Sequence, residues 1–231
     1  MLSKIKNELI YLSTLRRILS SLKSINNDES SIITKKIAGY ADSSPDSVAI
    51  YFDHKEITYR ELINGANQYS HWFLDNGLQK GDVVALLMEN RPEFLMAWIG
   101  IAQVGGTTAL INTNLTAHPL NHSLSISGAS KVILGEELLE NFETTNDSIK
   151  SSFQVWIEGG NNNSEYNNLN ESLKKFGIDM PNIDYDITNQ DVALYIYTSG
   201  TTGDPKAATI THRRLRLMLM GFVSAVLPKK T

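Results

Sequence analysis

The chain has 231 residues, 42% of them hydrophobic, and a mildly acidic formal net charge of −4. That length buries a sizeable core in one or two domains, and the weak charge, with no Lys/Arg-rich block in the body of the chain, argues against a nucleic-acid partner. No cysteine occurs, which excludes disulfides, thiolate metal sites and a cysteine nucleophile, and fits the cytoplasm.

The first 25 residues carry Lys4, Lys6, Arg16, Arg17 and Lys23 against Glu8 alone, while Leu2, Ile5, Leu9, Leu12, Leu15, Leu19 and Leu22 recur with helical spacing. This predicts a basic, imperfectly amphipathic helix over residues 1–29, ahead of a main domain over 30–231. The segment lacks the apolar length of a membrane span and the h-region of a signal peptide, so its membrane role would be peripheral, at an anionic inner face. Arg16 falls on the apolar stripe and favours the rival reading, a helix docked on the protein's own core. Mitochondrial targeting ranks third.

Val48 to Phe52 and Glu56 to Thr58 read as a hairpin turning at Asp53 and His54, followed by an amphipathic helix from Tyr59 to about Asn76 that stops at Gly77. Val83 to Met88 is a buried-strand run, and Arg91 to Val104 reads as a helix with Pro92 in its first turn, ended by Gly105 and Gly106. Thr107 to Ile111 is a strand, Pro119 to about Gly128 a helix with His118 as its cap, and Lys131 to Leu134 another strand. Strands alternating with helices predict an α/β fold built on a parallel sheet. Between Glu158 and Gln190, Asn161 to Asn163, Asn167, Asn168 and Asn170 give the composition of a solvated loop.

The run from Tyr195 to His212 carries the chemistry. Gly200 and Gly203 allow close approach of the backbone to an anion, so that successive N–H groups converge on phosphate oxygens. Thr198, Ser199, Thr201 and Thr202 add hydroxyl donors, and Lys206 adds a compact mobile charge suited to a polyphosphate. A Walker A loop would place Lys directly after Gly and follow it with Ser or Thr. Here Asp204 and Pro205 intervene and Ala207 follows, so this is a different phosphate loop. Asp204 sets a negative charge beside the anion site and should weaken nucleotide binding modestly. His212 opens the next helix, where capping outweighs ligand contact, and Arg213, Arg214 and Arg216 read as a solvated helix face. None of His71, His118, His122 and His212 has metal-ligand spacing.

The segment from Thr198 to Lys206 resembles the signature loop of the adenylate-forming superfamily, which includes acyl-CoA synthetases, luciferase-like ligases and the adenylation domains of peptide synthetases. Thr58 to Leu62, Lys80 to Phe94 and Ala109 to Leu115 are similar to other core segments of that superfamily. Leu87 to Phe94, Ala109 to Leu115 and Tyr195 to Tyr197 are most similar to the fatty acid transport protein, or very-long-chain acyl-CoA synthetase, group.

The resemblance implies a layered parallel-sheet amino-terminal subdomain, incomplete in this sequence and led by the amphipathic helix. It implies ATP-dependent activation of a long-chain or very-long-chain fatty acid: the carboxylate attacks the α-phosphate, pyrophosphate leaves, and the coenzyme A thiol then attacks the acyl-adenylate. ATP, Mg2+ and coenzyme A are the implied co-substrates and ion. Thr198, Ser199, Gly200, Thr201, Thr202 and Gly203 are the implied nucleotide contacts, and Lys206 is both contact and catalytic group. Only 25 residues follow Lys206, and the family's adenine, ribose, hinge and second-lysine elements have no counterpart among them. The expectation is therefore an amino-terminal portion that does not turn over alone, awaiting a complementing carboxy-terminal polypeptide. The other readings are a non-catalytic remnant or interaction module, and a ligase for carnitine-like, aryl or amino acids.

Overall fold

The computed structural model describes residues 8, 11–16, 19, 20, 30, 32–160, 166–199 and 205–226. Helix α1 (Ile33–Ser43) leads into the hairpin β1 (Val48–Phe52) and β2 (Lys55–Thr58), whose two turn residues, Asp53 and His54, both take positive φ. That is the backbone twist a two-residue hairpin requires. Helix α2 (Tyr59–Asp75) starts on a reciprocal capping box, in which Thr58 Oγ1 accepts from Glu61 N and the Glu61 carboxylate accepts from Thr58 N. It stops ahead of Gly77 at φ 73°, as the sequence predicts.

The order continues through β3 (Val83–Leu87), α3 (Pro92–Gln103), β4 (Thr107–Leu110), α4 (Ala117–Ser125), β5 (Lys131–Gly135), a 3-10 turn (Glu136–Leu138), α5 (Leu139–Glu143) and α6 (Asp147–Ser152). Then come β6 (Gln154–Glu158), β7 (Asn167–Asn168), α7 (Leu169–Leu173), β8 (Val192–Ser199), β9 (Pro205–Thr211) and α8 (His212–Val226). Two readings change. Helix α4 begins two residues before Pro119 and is capped at Thr116, because a proline in the first turn sacrifices only an N–H that has no partner there. His118 is thus a first-turn residue and not the cap. The Asn-rich segment 158–190 carries the edge strand β7 and the helix α7, for which Asn168 is the N-cap, accepting from Glu171 N at 3.0 Å. A polar composition there supplied a cap as well as a loop.

The main sheet runs in the order β7-β6-β5-β3-β4-β8-β9, parallel throughout except for the antiparallel β8–β9 pair. Alternation along the strands feeds two cores. Val84, Leu86 and Ile133 pack on one face against Trp72 and Phe73 of α2 and Ile101 of α3. Ala85, Leu87, Val132 and Leu134 pack on the other against Leu120 and Leu124 of α4 and Phe142 of α5. Helices on both faces make this the layered α/β architecture that the alternating pattern predicts.

On the α2/α3 side, residues 178–191 form a strap across the layer. Asn67 Nδ2 donates to the Ile178 carbonyl at 2.7 Å, and Lys80 Nζ donates to the Asp186 carbonyl at 2.7 Å while pairing with Asp191 at 2.9 Å. The strap delivers the chain to the start of β8, where Thr107 Oγ1 donates to the Val192 carbonyl.

Within the amino-terminal segment, residues 11–16, 19 and 20 are helical, and Tyr11, Leu12, Leu15 and Leu19 are exposed. Among the described residues no helix is long and apolar enough to cross a membrane.

Candidate functional site

Because β3, β4, β5, β6 and β8 run parallel, their carboxyl ends share one edge of the sheet, the edge at which open α/β sheets bind ligands. Strand β8 ends there and returns antiparallel as β9. The register pairs Tyr197 with Ala207, Thr198 with Lys206 and Ser199 with Pro205, so residues 200–204 form the hairpin connection. The pairing sets the Lys206 backbone directly opposite Thr198, at the mouth of the connection. The Lys206 side chain is exposed. Of the predicted site residues, Thr198 and Ser199 lie on described strand backbone, while Gly200, Thr201, Thr202 and Gly203, with Asp204, lie outside the described residues.

The hairpin rests on a rigid floor. Ala193, Leu194 and Ile210 are buried together, with Trp98, Leu110 and Leu215 packed against them. On the opposite face Tyr195 and Tyr197 pack on the second core. The Tyr197 hydroxyl is buried without a hydrogen-bond partner among the described residues, and burial, reinforced by Tyr195, pushes it up to about 12.

The amino end of α8 follows Thr211, which pairs with Val192 at the far end of the hairpin from the connection, and its donors are already used. His212 N donates to the Asp191 carbonyl at 3.1 Å, Arg213 N to the Asn189 carbonyl at 2.7 Å, and Arg214 N to Thr211 Oγ1 at 3.2 Å. A phosphate at the connection would therefore draw on amides of the connection, with this helix terminus at the opposite edge of the sheet. The His212 ring is fully buried, and neither ring nitrogen has a partner among the described residues. Burial pushes its pKa down to about 4, against a smaller opposing pull from Asp191, so the ring is neutral at pH 7. Arg216, expected on a solvated face, is instead buried, and Arg214 reaches the Thr209 carbonyl at 3.4 Å.

Sequence reasoning missed a second constellation on the same edge. Arg91, at the amino end of α3, contacts Glu93 at 3.1 Å and Glu137 at 3.4 Å, and pairs with the buried Glu158 at the end of β6. Burial works against the Arg91 charge, but Glu158 and Glu137 outweigh it and hold its pKa above the usual value. Burial likewise pushes the Glu158 carboxyl up despite Arg91. The cluster braces the carboxyl ends of three strand connections. A neighbouring apolar cavity of about 220 Å³, lined by Ile50, Phe52, Phe94 and Leu95, is smaller than the roughly 300 Å³ at which ligand pockets begin. Among the described residues no cluster of three or more His, Asp or Glu is arranged to hold a metal ion.

Residues 38–228 match the family described as AMP-binding enzyme. Long-chain fatty acid transport protein 6 of Mus musculus is 31% identical over 182 residues, 78% of this chain and 29% of that protein. Long-chain fatty acid transport protein 1 of Homo sapiens is 35% identical over 161 residues, 68% of this chain and 25% of that protein. The chain thus spans under a third of the length of these relatives. Among solved structures, a Mycobacterium tuberculosis fatty acyl CoA synthetase superposes with a TM-score of 0.67 at 29% identity, covering 78% of this chain and 34% of that one. The anthranilate CoA ligase AuaEII, solved with anthranoyl-AMP, gives a TM-score of 0.71 at 22% identity over 79% of this chain and 35% of that one, a likeness of fold.

Proposed function

Because this chain belongs to the AMP-binding enzyme family, we propose that it carries the phosphate-binding half of an ATP-dependent, AMP-forming fatty acyl-CoA ligase. The observation that carries the proposal is the β8–β9 register, which aligns Thr198 with Lys206 across a Gly/Ser/Thr-rich connection at the carboxyl edge of a parallel sheet. The names of the relatives, fatty acid transport proteins and a fatty acyl CoA synthetase, support a fatty acid as the substrate.

Activation of a carboxylate on ATP piles negative charge onto the phosphate oxygens as pyrophosphate departs. Hydroxyls of Thr198, Ser199, Thr201 and Thr202, backbone amides freed by Gly200 and Gly203, and the Lys206 ammonium are the donors that would meet it. Strand pairing fixes the backbone at Thr198, Ser199 and Lys206 on both sides of the connection, and donors prearranged around a developing charge are what make an electrostatic site effective. A magnesium ion bound with the phosphates would neutralise part of the same charge. The acyl-adenylate would then pass to coenzyme A. These residues are expected to bind nucleotide through the hairpin connection.

Calorimetric titration of the purified chain with Mg·ATP tests this reading. Removing a charged hydrogen-bonding partner costs about 1.5–3 kcal/mol, so Lys206→Ala should weaken binding roughly 10- to 100-fold while leaving the circular dichroism spectrum unchanged. A folded chain that ignores Mg·ATP, or binds it equally well without Lys206, would instead favour a non-catalytic remnant.

A further inference from the structure

The strap of residues 178–191 and helix α1 enclose two cavities against α2 and α3 that the hairpin site does not use. The larger, about 300 Å³, reaches Asp42, Arg60 and Asn67, and the smaller, about 250 Å³, reaches Lys35, Gln103 and Asp186. Met180 lines both and is 50% exposed, so one unbranched surface side chain separates them. Swung outward, it leaves a single cleft inside the range of roughly 300–1,000 Å³ that ligand pockets occupy. The cleft lies toward the amino ends of β4 and β8. Gln103 ends the helix that leads into β4, and the strap leads into β8, whereas the phosphate connection follows the carboxyl end of β8.

Two buried amides, Asn67 and Gln103, 4% and 6% exposed, line the cleft. The Ile178 carbonyl can only accept, so the Asn67 atom 2.7 Å from it is Nδ2. That turns Asn67 Oδ1 toward Gln103 and makes the Gln103 atom 3.1 Å away Nε2. Gln103 Oε1 then takes the Ser70 hydroxyl at 2.7 Å, and the second Nε2 hydrogen goes to Met180 Sδ, 3.5 Å away. A thioether is a weak acceptor, and a buried amide donor held by a weak partner gains when an oxygen replaces it. The charged residues lining the cleft are Lys35 and Arg60 against Asp42 and Asp186, so its wall favours neither sign of ligand charge. We infer that this cleft is a second small-molecule site, for an uncharged ligand carrying a carbonyl-type oxygen on an apolar body. The oxygen replaces Met180 Sδ as the acceptor for Gln103, and the body lies along Ile63 and Ile183.

The cleft needs no nucleotide, so its test stands apart from the ligase reading. Acetanilide, an uncharged amide on a phenyl ring, is the probe, and the side-chain amide signals of Asn67 and Gln103 in proton–nitrogen NMR spectra of the full chain report it. Both signals should shift together and saturate with a dissociation constant on the order of 1 mM, the range open to so small a ligand. N-Ethylaniline, the same skeleton with a methylene in place of the carbonyl and uncharged at pH 7, should bind at least about fivefold more weakly. Met180→Ala changes an exposed residue, keeps both amides and should tighten acetanilide binding, because no sulfur competes for the Gln103 donor. Gln103→Met, with folding verified by circular dichroism, fills the same space without the donor and should bring acetanilide down to the affinity of N-ethylaniline. Amide signals that do not move up to the solubility limit of acetanilide, equal affinity for the two probes, or an affinity unchanged in Met180→Ala would each overturn the inference.

Discussion

Lowering the pH from 7 to 5 should destabilise this chain through one residue, His212. Its ring is fully buried at the first position of α8, with no partner for either nitrogen among the described residues, and burial pushes its pKa down to about 4. An unperturbed histidine titrates near 6.5, so the unfolded chain takes up this proton first. The folded-state pKa is the depressed one. The stability tied to the neutral ring is therefore intact above about pH 6.5 and is lost as pH falls toward 4. A shift of about 2.5 units corresponds to about 3 kcal/mol in full, of which about 2 kcal/mol is lost between pH 7 and pH 5.

Two other groups act near this window with different signs. At Asp191 burial is outweighed by hydrogen bonds from Thr188 and Lys80, so its pKa is depressed and it stays ionised through the window. Glu158, pushed up by burial, contributes in the opposite sense and gains as the pH falls. Urea unfolding of the native sequence beside His212→Gln at pH 7, 6 and 5 cancels both. The native sequence should lose about 2 kcal/mol more than the variant between the extremes. Parallel pH profiles for the two proteins would refute a neutral, desolvated His212.

Gly100 faces α2 so closely that an added Cβ would sit 2.6 Å from Tyr69 Cβ and 2.8 Å from the Ala66 carbonyl oxygen. Gly100→Ala should force α2 and α3 apart and cost about 1–3 kcal/mol in thermal or urea unfolding. Arg91→Met leaves the buried Glu158 without its charge partner and should cost about 3–5 kcal/mol at pH 7. Adding Glu158→Gln to that variant should restore much of the loss, and a double variant no more stable than Arg91→Met would show that the pairing is not what matters.

The legible parts of this fold were those written locally. The continuous apolar run from Val83 to Leu87, Pro92 in a first turn and Gly77 after a last turn each mark an element within a few residues. The strands flanking the proposed phosphate loop were legible for the same reason, since they adjoin a consecutive run of glycines, hydroxyls and a lysine. The Arg91 cluster was not, because Glu137 and Glu158 lie 46 and 67 residues away and only the sheet order brings them together. Burial of His212 and Arg216 was hidden too. Their helix reads as polar on one side, and the strap residues Asn189 and Asp191 that receive its first turn carry no pairing signal in sequence. The edge strand and helix near Asn168 were obscured by asparagine, whose side chain suits a loop and an N-cap equally well.

Hydrogen–deuterium exchange on the full chain, with and without Mg·ATP, tests the central claim most directly, because it reads the backbone amides of the connection between Thr198 and Lys206. The account predicts that nucleotide slows exchange at peptides spanning 199–206, and that the protection disappears in Lys206→Ala. Protection confined to other segments, or none at saturating nucleotide, would contradict the assignment of this hairpin as the phosphate site.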